Sequence, residues 1–202
     1  MMDNEEGYIK FNADWIQGGS IAEDFLQDII RVRQELYDLQ WIGVYPDGVG
    51  YGNISKRWEE KGQFVISGTA TGHLETLNPA HFSLVTGVNI SENKINCTGP
   101  LMASSESMSH AAIYRQCPDV QGVIHIHDPV RWRKWLHKAP TPPESVPYGT
   151  PEMAYAIMQL LEDPVQAQWK FLVMAGHEEG CITFGKDLQQ AFEILTNLSK
   201  NN

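Results

Sequence analysis

The chain has 202 residues, of which 42% are hydrophobic, so it is long enough for one folded domain with a full core and too apolar for a disordered protein. Its 25 Asp and Glu residues outnumber its 15 Lys and Arg residues, and the formal net charge of −10 disfavours a nucleic-acid-binding protein. Three widely spaced cysteines without a CxxC motif predict a reducing compartment. No basic, apolar leader and no apolar run of about 20 residues is present, so we expect a cytoplasmic protein without membrane insertion.

The first predicted element is a helix over residues 21–39. We read residues 1–19 as an N-terminal extension and residues 20–202 as a single domain. Ser20 and Glu23 have the spacing of a capping box at the start of this helix. Apolar residues then recur every three or four positions, which predicts a helix that covers a sheet. They are Ile21, Phe25, Ile29, Val32 and Leu36.

Residues 41–98 are rich in turn residues and β-branched residues, which predicts strands. The three strand candidates are 51–57, 64–67 and 81–85. The second half of the chain alternates between helical and strand-like patterns. Its predicted elements are a helix from Ser104 to about Gln116, a strand over 122–127, a proline-rich connector over 140–147, a helix from Thr150 to about Leu161, strands over 170–174 and 181–184, and a last helix over 187–198. This order predicts a mixed α/β chain.

The sequence His125-Ile126-His127 carries the first chemical signal. Side chains alternate faces along a strand, so Val123, His125 and His127 share one face, whereas Ile124 and Ile126 share the other. Two neighbouring imidazoles in front of an apolar layer are typical zinc ligands. The alternative is a polar strand end whose histidines are only hydrogen-bonded.

A catalytic zinc site uses three protein ligands, and His177 is the best third candidate. It lies in a glycine-rich turn between two predicted strands, although an ordinary turn histidine would have the same surroundings. Glu106 falls in the first turn of a predicted helix, where the helix dipole favours an ionised carboxylate. It is a candidate acid/base, with a plain capping role as the alternative. His110 shares a helix face with Glu106 and either orients that carboxylate or only packs there.

Small polar residues near loop ends form a further set. Each offers backbone N–H groups and a hydroxyl or amide, and together they can form an anion-binding nest, although ordinary turns use the same residues. The set consists of Gly52-Asn53, Thr71-Gly72 and Ser104-Ser105. The other histidines, His73, His81 and His137, are read as structural or surface residues.

Read in order, these motifs resemble the class II aldolase/adducin family over about residues 20–198. The matching segments are Gly-Asn-Ile-Ser-Lys-Arg (52–57), Ile-Ser-Gly-Thr-Ala-Thr-Gly (66–72), Ser-Ser-Glu with a later His (104–110), Val-Ile-His-Ile-His (123–127), Tyr-Gly-Thr-Pro-Glu-Met-Ala (148–154) and Gly-His-Glu-Glu-Gly (176–180). Each motif is short, and it is their order that makes the resemblance specific.

The resemblance implies a three-layer α/β/α fold with a central, mostly antiparallel sheet. It also implies a homotetramer with active sites between subunits, and a divalent metal, usually zinc, held by His125, His127 and His177. Glu106 takes the place of the family's acid/base, which also ligates the metal when substrate is absent. The substrate phosphate is expected at Asn53, Thr71, Gly72, Ser104 and Ser105.

The implied function is a metal-dependent lyase that cleaves a carbon–carbon bond of a small sugar phosphate, or of a related hydroxy-carbonyl compound, through a metal-stabilised enediolate. An epimerase or dehydratase of sugar phosphates would use the same metal site. A non-catalytic, adducin-like module is a third reading. The retained histidines and Glu106 argue against it, because such a module has no need of three ligands and a base.

The chain also departs from the aldolase pattern. The aldolases use one tyrosine from a loop after the His-X-His strand and another from a C-terminal tail. Here no tyrosine occurs between His127 and Tyr148, and the last tyrosine is Tyr155. Glu178 also follows His177 where the family usually has glycine. That carboxylate either changes metal preference or proton transfer, or it points outward.

Overall fold

A computed structural model describes residues 8–59 and 62–200, and residues 1–7 of the expected N-terminal extension, with their acidic start, lie outside it. An eight-stranded sheet forms the centre, and a two-stranded hairpin stands beside it. The strands are β1 Asn12–Gln17, β2 Gly43–Val44, β3 Gly50–Tyr51, β4 Asn53–Arg57, β5 Phe64–Ser67, β6 Phe82–Asn89, β7 Lys94–Gly99, β8 Gly122–His127, β9 Phe171–Val173 and β10 Gly180–Gly185. The helices are α1 Glu23–Asp38, α2 Ser107–Gln116, α3 Pro129–Trp135, α4 Pro151–Glu162, α5 Pro164–Ala167 and α6 Leu188–Lys200.

The main sheet has the order β1-β7-β6-β5-β4-β8-β10-β9. Only the β1–β7 pair is parallel, and the other neighbours are antiparallel. One hydrophobic cluster joins one face of the sheet to α2 and α4, and a second joins the other face to α1 and α6. This architecture confirms the predicted α/β fold, with helices on both faces of a mostly antiparallel sheet.

Helix α1 forms because its apolar residues fall on one stripe. Leu26, Ile29, Val32 and Leu36 are all buried, as a helix that covers a sheet requires. The predicted capping box is wrong: the N-cap is Ala22, and it makes no side-chain cap hydrogen bond. The backbone N–H of Gly18 still donates to the carbonyl of Gly99, so the chain leaves the sheet late and the helix begins only at Glu23.

Strand β8 shows the predicted alternation. Val123 lies in the cluster with α2 and α4, whereas Ile124 and Ile126 lie in the cluster with α1 and α6. The predicted helix after Glu106 is α2, and the one after Thr150 is α4, in which the Thr150 hydroxyl accepts from the backbone N–H of Met153. Strands β9 and β10 also form where the sequence predicts them.

Several elements are absent from the sequence-based prediction, among them the short strand β2 and the short helix α5. Residues 12–17, within the segment read as an extension, form the edge strand β1, which pairs with β7. Strand β7 itself is another such element. Helix α3 begins at Pro129 behind Asp128, whose carboxylate accepts from the backbone N–H groups of Val130 and Arg131. An N-cap Asp followed by Pro at the first helical position is a local signal that could have revealed this helix.

Candidate metal and anion site

His125 and His127 stand on β8, in the middle of the sheet. In the antiparallel registers His125 pairs with Asn53 of β4, and His127 pairs with Gly180 of β10. His125 is 0% exposed and His127 is 4% exposed. The neighbouring strands therefore fix both backbones, and both imidazoles are held on the α2/α4 face of the sheet.

His177 reaches the same place from the turn between β9 and β10. Its backbone N–H donates to Met174 over 3.2 Å, and its carbonyl accepts from Gly180 over 2.9 Å. A Cβ added at Gly180 would lie 3.0 Å from the His177 ring, which is tighter than most contacts of real Cβ atoms. Glycine at this position therefore gives the imidazole room close to the start of β10.

The three imidazoles form one compact cluster. Their ring centroids are 4.7 to 5.1 Å apart, and one ligand atom from each lies within 4.8 Å of the others. The Nε2 atoms of His125 and His127 are 3.2 Å apart. Two nitrogens that bind one tetrahedral zinc ion are about 3.3 Å apart, given zinc–nitrogen distances of about 2.0–2.1 Å. The spacing of this pair therefore fits a shared metal ion.

Burial keeps the two strand histidines uncharged. Desolvation lowers the pKa of His125 and of His127 well below the ordinary value, and the nearby His177 lowers both further. Neutral imidazoles retain the nitrogen lone pairs that metal coordination needs. The pair on β8 can therefore act as metal ligands at neutral pH.

Glu106 occupies the N-cap position of α2, just before the helix rather than in its first turn, makes no side-chain capping hydrogen bond, and is 1% exposed. The hydroxyl of Ser109 donates to its Oε2 over 2.9 Å. The cluster of potential ligands found among the described residues contains the three histidines and not Glu106. The segment Tyr148-Gly149 lies between the histidine cluster and Glu106. The Tyr148 ring stacks on His177 at 4.0 Å, and a Cβ at Gly149 would lie 3.4 Å from Oε1 of Glu106.

His110 neither orients the Glu106 carboxylate nor only packs against the helix, which were the two expectations from the sequence. Its Nδ1 is hydrogen-bonded to the hydroxyl of Ser55 at 2.7 Å, and that hydroxyl also contacts the Tyr114 hydroxyl at 2.9 Å. Burial lowers the pKa of His110 to about 3, so the ring is neutral. The contact that fixes its ring thus belongs to a buried network between α2 and β4 rather than to the Glu106 carboxylate.

All the residues predicted to bind phosphate line one small polar cavity next to β8. The predicted ones are Asn53, Thr71, Gly72, Ser104 and Ser105, and the remaining lining residues are Gly50, Gly52, Gly68, Thr69 and Ala70. Among the residues that the structure describes, the lining contains no Lys or Arg, so an anion there would be held by backbone N–H groups, hydroxyls and one amide.

Arg33 holds the loop of this cavity from the α1 side. It is 1% exposed, and its guanidinium donates to the carbonyl oxygens of Thr71, Gly72 and Glu75. Burial lowers its pKa to about 10, so it remains charged at neutral pH. A Cβ at Gly72 would lie 2.7 Å from the carbonyl oxygen of Gly43, so the loop also packs closely against the β2–β3 hairpin.

Two further side chains lie beside His127 that no sequence motif indicates. The Tyr45 hydroxyl lies 2.7 Å from Nδ1 of His127 and 2.8 Å from Oε2 of Glu179. The Tyr51 ring stacks on His127 at 5.3 Å. Glu178 is exposed, so of its two readings the outward one describes its position. No local pattern could have joined residues 45 and 127, because only the folded sheet brings them together.

Within the part of the chain that the structure describes, no helix is long and apolar enough to cross a membrane. A comparison with curated proteins found no match.

Solved structures with the same fold include L-fuculose 1-phosphate aldolase, at a TM-score of 0.65 and 20% identity over 90% of this chain and 84% of that one. L-fuculose-1-phosphate aldolase from Thermus thermophilus matches at a TM-score of 0.59 and 21% identity, over 85% of this chain and 87% of that one. YgbL from Klebsiella pneumoniae, described as an aldolase/epimerase/decarboxylase candidate, matches at a TM-score of 0.65 and 18% identity, over 89% and 87%. At these identities the likeness shows a shared fold.

Residues 27–132, just over half of the chain, match the family described as Class II Aldolase and Adducin N-terminal domain. The match includes Glu106, both β8 histidines and the predicted phosphate residues, whereas His177 lies beyond it. The chain therefore belongs to the class II aldolase and adducin family.

Proposed function

We propose that this protein is a metal-dependent lyase that cleaves a carbon–carbon bond in a small sugar phosphate or a related hydroxy-carbonyl compound. The observation that carries the proposal is the convergence of three buried histidines beside a polar cavity suited to an anion. A binding module has no need for converging imidazoles in its interior, and burying them without a ligand would be costly.

His125, His127 and His177 would hold the divalent ion, and we propose zinc. Neutral imidazoles are typical zinc ligands, and the Nε2 spacing of 3.2 Å fits that ion. Three protein ligands leave a position open for substrate. When bound, the ion supplies Lewis-acid charge that stabilises negative charge developing on a substrate oxygen.

Glu106 would move the proton, and we propose that it also ligates the metal when substrate is absent. Its carboxylate is buried at the start of α2, and Ser109 fixes one of its oxygens. Proton transfer by a positioned carboxylate typically contributes about 10²–10⁴-fold to the rate.

The cavity around Asn53 and Ser105 would hold the substrate phosphate. The buried Oδ1 of Asn53 has no hydrogen-bond partner among the described residues, and buried polar groups of this kind are normally paired. An Asn side chain can present either its amide N–H or its oxygen at the same place, so this group can donate to a phosphate oxygen. Binding the phosphate here would orient the reacting carbons towards the histidines.

We further propose a cytoplasmic homotetramer with active sites between subunits, as the family resemblance implies. Sedimentation of the purified protein would decide the oligomeric state, and a monomer would contradict this part of the proposal.

The test is metal analysis of the purified protein, followed by product analysis with a panel of ketose and aldose phosphates. We expect about one divalent ion per chain and cleavage products from a ketose phosphate. Glu106→Gln should keep the metal and lower turnover about 10²–10⁴-fold, because only the proton carrier is lost. Glu152→Gln, an exposed carboxylate of α4, is the matched control and should match the wild type.

A protein without stoichiometric metal would overturn the proposal. Products that are only isomerised or dehydrated would reject aldol cleavage and favour an epimerase or dehydratase on the same metal site.

A further inference from the structure

The hydroxyl of Tyr45 lies between a metal-site histidine and a carboxylate. It is 2.7 Å from Nδ1 of His127 and 2.8 Å from Oε2 of Glu179. Both distances are those of good hydrogen bonds. The hydroxyl contacts the ring nitrogen on the side away from the cluster, because Nε2 of His127 is the atom that faces His125.

The chemistry of the three groups fixes the direction of both hydrogen bonds. The Tyr45 hydroxyl donates to Oε2 of Glu179, so its single proton is committed to that carboxylate. The tyrosine oxygen must then accept, and the donor is the Nδ1–H of His127. With its proton on Nδ1, His127 carries its lone pair on Nε2, pointing at the shared position beside His125.

Glu179 is held in place by backbone that is unusual for its residue type. Its φ of 66° lies in the left-handed region, where a side chain adds a strain of about 1–2 kcal/mol that glycine avoids. Its carbonyl accepts from the backbone N–H of Asp128 over 2.9 Å, directly after His127 in the chain. The turn therefore keeps a strained glutamate within reach of Tyr45.

Tyr45 is anchored independently by the β2–β3 hairpin. Its backbone N–H donates to Val49 over 2.8 Å, and its ring packs on Tyr51 at 4.6 Å. The hairpin and the β9–β10 turn thus bring two parts of the chain that are 134 residues apart onto one imidazole.

We propose that Glu179 and Tyr45 are positioning residues, which through His127 set the tautomer and orientation of a metal ligand and add a negative charge behind it. The proposal rests on the proposed metal-dependent function. Partners of this kind behind a ligating histidine typically contribute about 10- to 100-fold to metal affinity. They act through His127 and need not touch the substrate.

The test is metal affinity, measured by chelator competition with zinc and cobalt(II). Tyr45→Phe and Glu179→Gln should each weaken binding about 10- to 100-fold. The double variant should be no weaker than the weaker single variant, because both changes break the same chain of hydrogen bonds. The absorption spectrum of the bound cobalt should also shift in both single variants.

Two matched controls separate this role from general packing. Tyr155→Phe removes the hydroxyl of an exposed tyrosine on α4, and Glu178→Gln makes the same charge change on the exposed residue next to Glu179. Both should bind metal within about twofold of the wild type. Thermal unfolding of the metal-free variants would identify any that lose affinity because they fold poorly.

Nitrogen-15 NMR of the metal-free protein gives a second readout, which needs neither metal nor substrate. We expect His127 to be protonated on Nδ1 in the wild type and to lose that preference in Tyr45→Phe. Wild-type metal affinity in both single variants would overturn the proposed positioning role. Losses of metal affinity that add in the double variant would overturn it as well. If the wild type binds no metal, the proposed function fails. The tautomer of His127 would still show whether Tyr45 and Glu179 place the proton on Nδ1.

Discussion

The two faces of β8 carry different side chains and need different surroundings. One face presents His125 and His127 to the metal-site cluster, and the other presents Ile124 and Ile126 to the core beneath α1 and α6. All four side chains are buried, so burial alone does not separate function from stability. What separates them is chemistry: the apolar face needs only close packing, whereas each imidazole needs a partner for its nitrogens.

The largest expected difference between the two faces comes from truncating one residue on each of them. His125→Ala removes a ligand and should abolish stoichiometric metal binding and turnover. Ile124→Ala should instead lower the free energy of unfolding by about 2–5 kcal/mol, because it leaves a cavity, while the folded fraction keeps its metal. Ile124→Val is the milder control, at about 0.5–1.5 kcal/mol. Metal analysis and urea unfolding of all three variants would measure both effects.

Loss of metal in Ile124→Ala at a temperature where the protein is fully folded would show that the two faces are not independent.

A smaller effect is expected in the anion cavity next to the polar face. Ser105→Ala removes a hydroxyl from the cavity lining and should raise KM for a phosphorylated substrate about 10- to 100-fold, the usual contribution of a hydrogen bond to a charged group. An unphosphorylated analogue should be affected little. Ser91→Ala, in an exposed turn, is the matched control. Equal losses for both substrates would place the phosphate elsewhere.

The last expected effect is a pH dependence of the free energy of unfolding that comes from the buried His110. Burial lowers the pKa of His110 to about 3 in the folded protein, whereas the unfolded chain takes up a proton near the ordinary 6.5. The unfolded state therefore binds more protons below that pH, so the stability contributed by His110 is complete above pH 6.5 and falls as the pH drops towards 3. The slope approaches about 1.4 kcal/mol per pH unit.

His110→Gln should flatten this slope between about pH 7 and 5 in urea unfolding of the metal-free protein. An unchanged slope in His110→Gln would mean that this ring is protonated in the folded state.

The sequence predicted the contents of β8 because strand periodicity is local. Two-residue alternation was enough to place the histidines on one face and the isoleucines on the other. The loops around Asn53, Thr71 and Ser105 were each ambiguous, and only the family's order of motifs joined them into one expected site. The same is true of His177, which lies 50 residues beyond His127 and reaches it through the β9–β10 turn.

Local motifs failed where tertiary contacts competed with them. Ser20 and Glu23 have the right spacing for a capping box, yet the chain is still hydrogen-bonded to Gly99 at Gly18, and the helix begins only at Glu23, with Ala22 at its N-cap. Strand β1 has a mostly exposed sequence without an apolar alternation, so only its partner reveals it. The contact between Tyr45 and Glu179 could not be predicted from the sequence for a related reason, since it exists only once two distant turns meet.

Arg33 has a consequence for how this protein could change over time. Its guanidinium binds the loop of the anion cavity solely through carbonyl oxygens, which every residue type possesses. Substitutions that keep the backbone path of residues 71, 72 and 75 would therefore leave these three hydrogen bonds in place. If the cavity binds a substrate phosphate as proposed, such substitutions would change its lining, while an arginine on helix α1 continues to hold the shape of the loop.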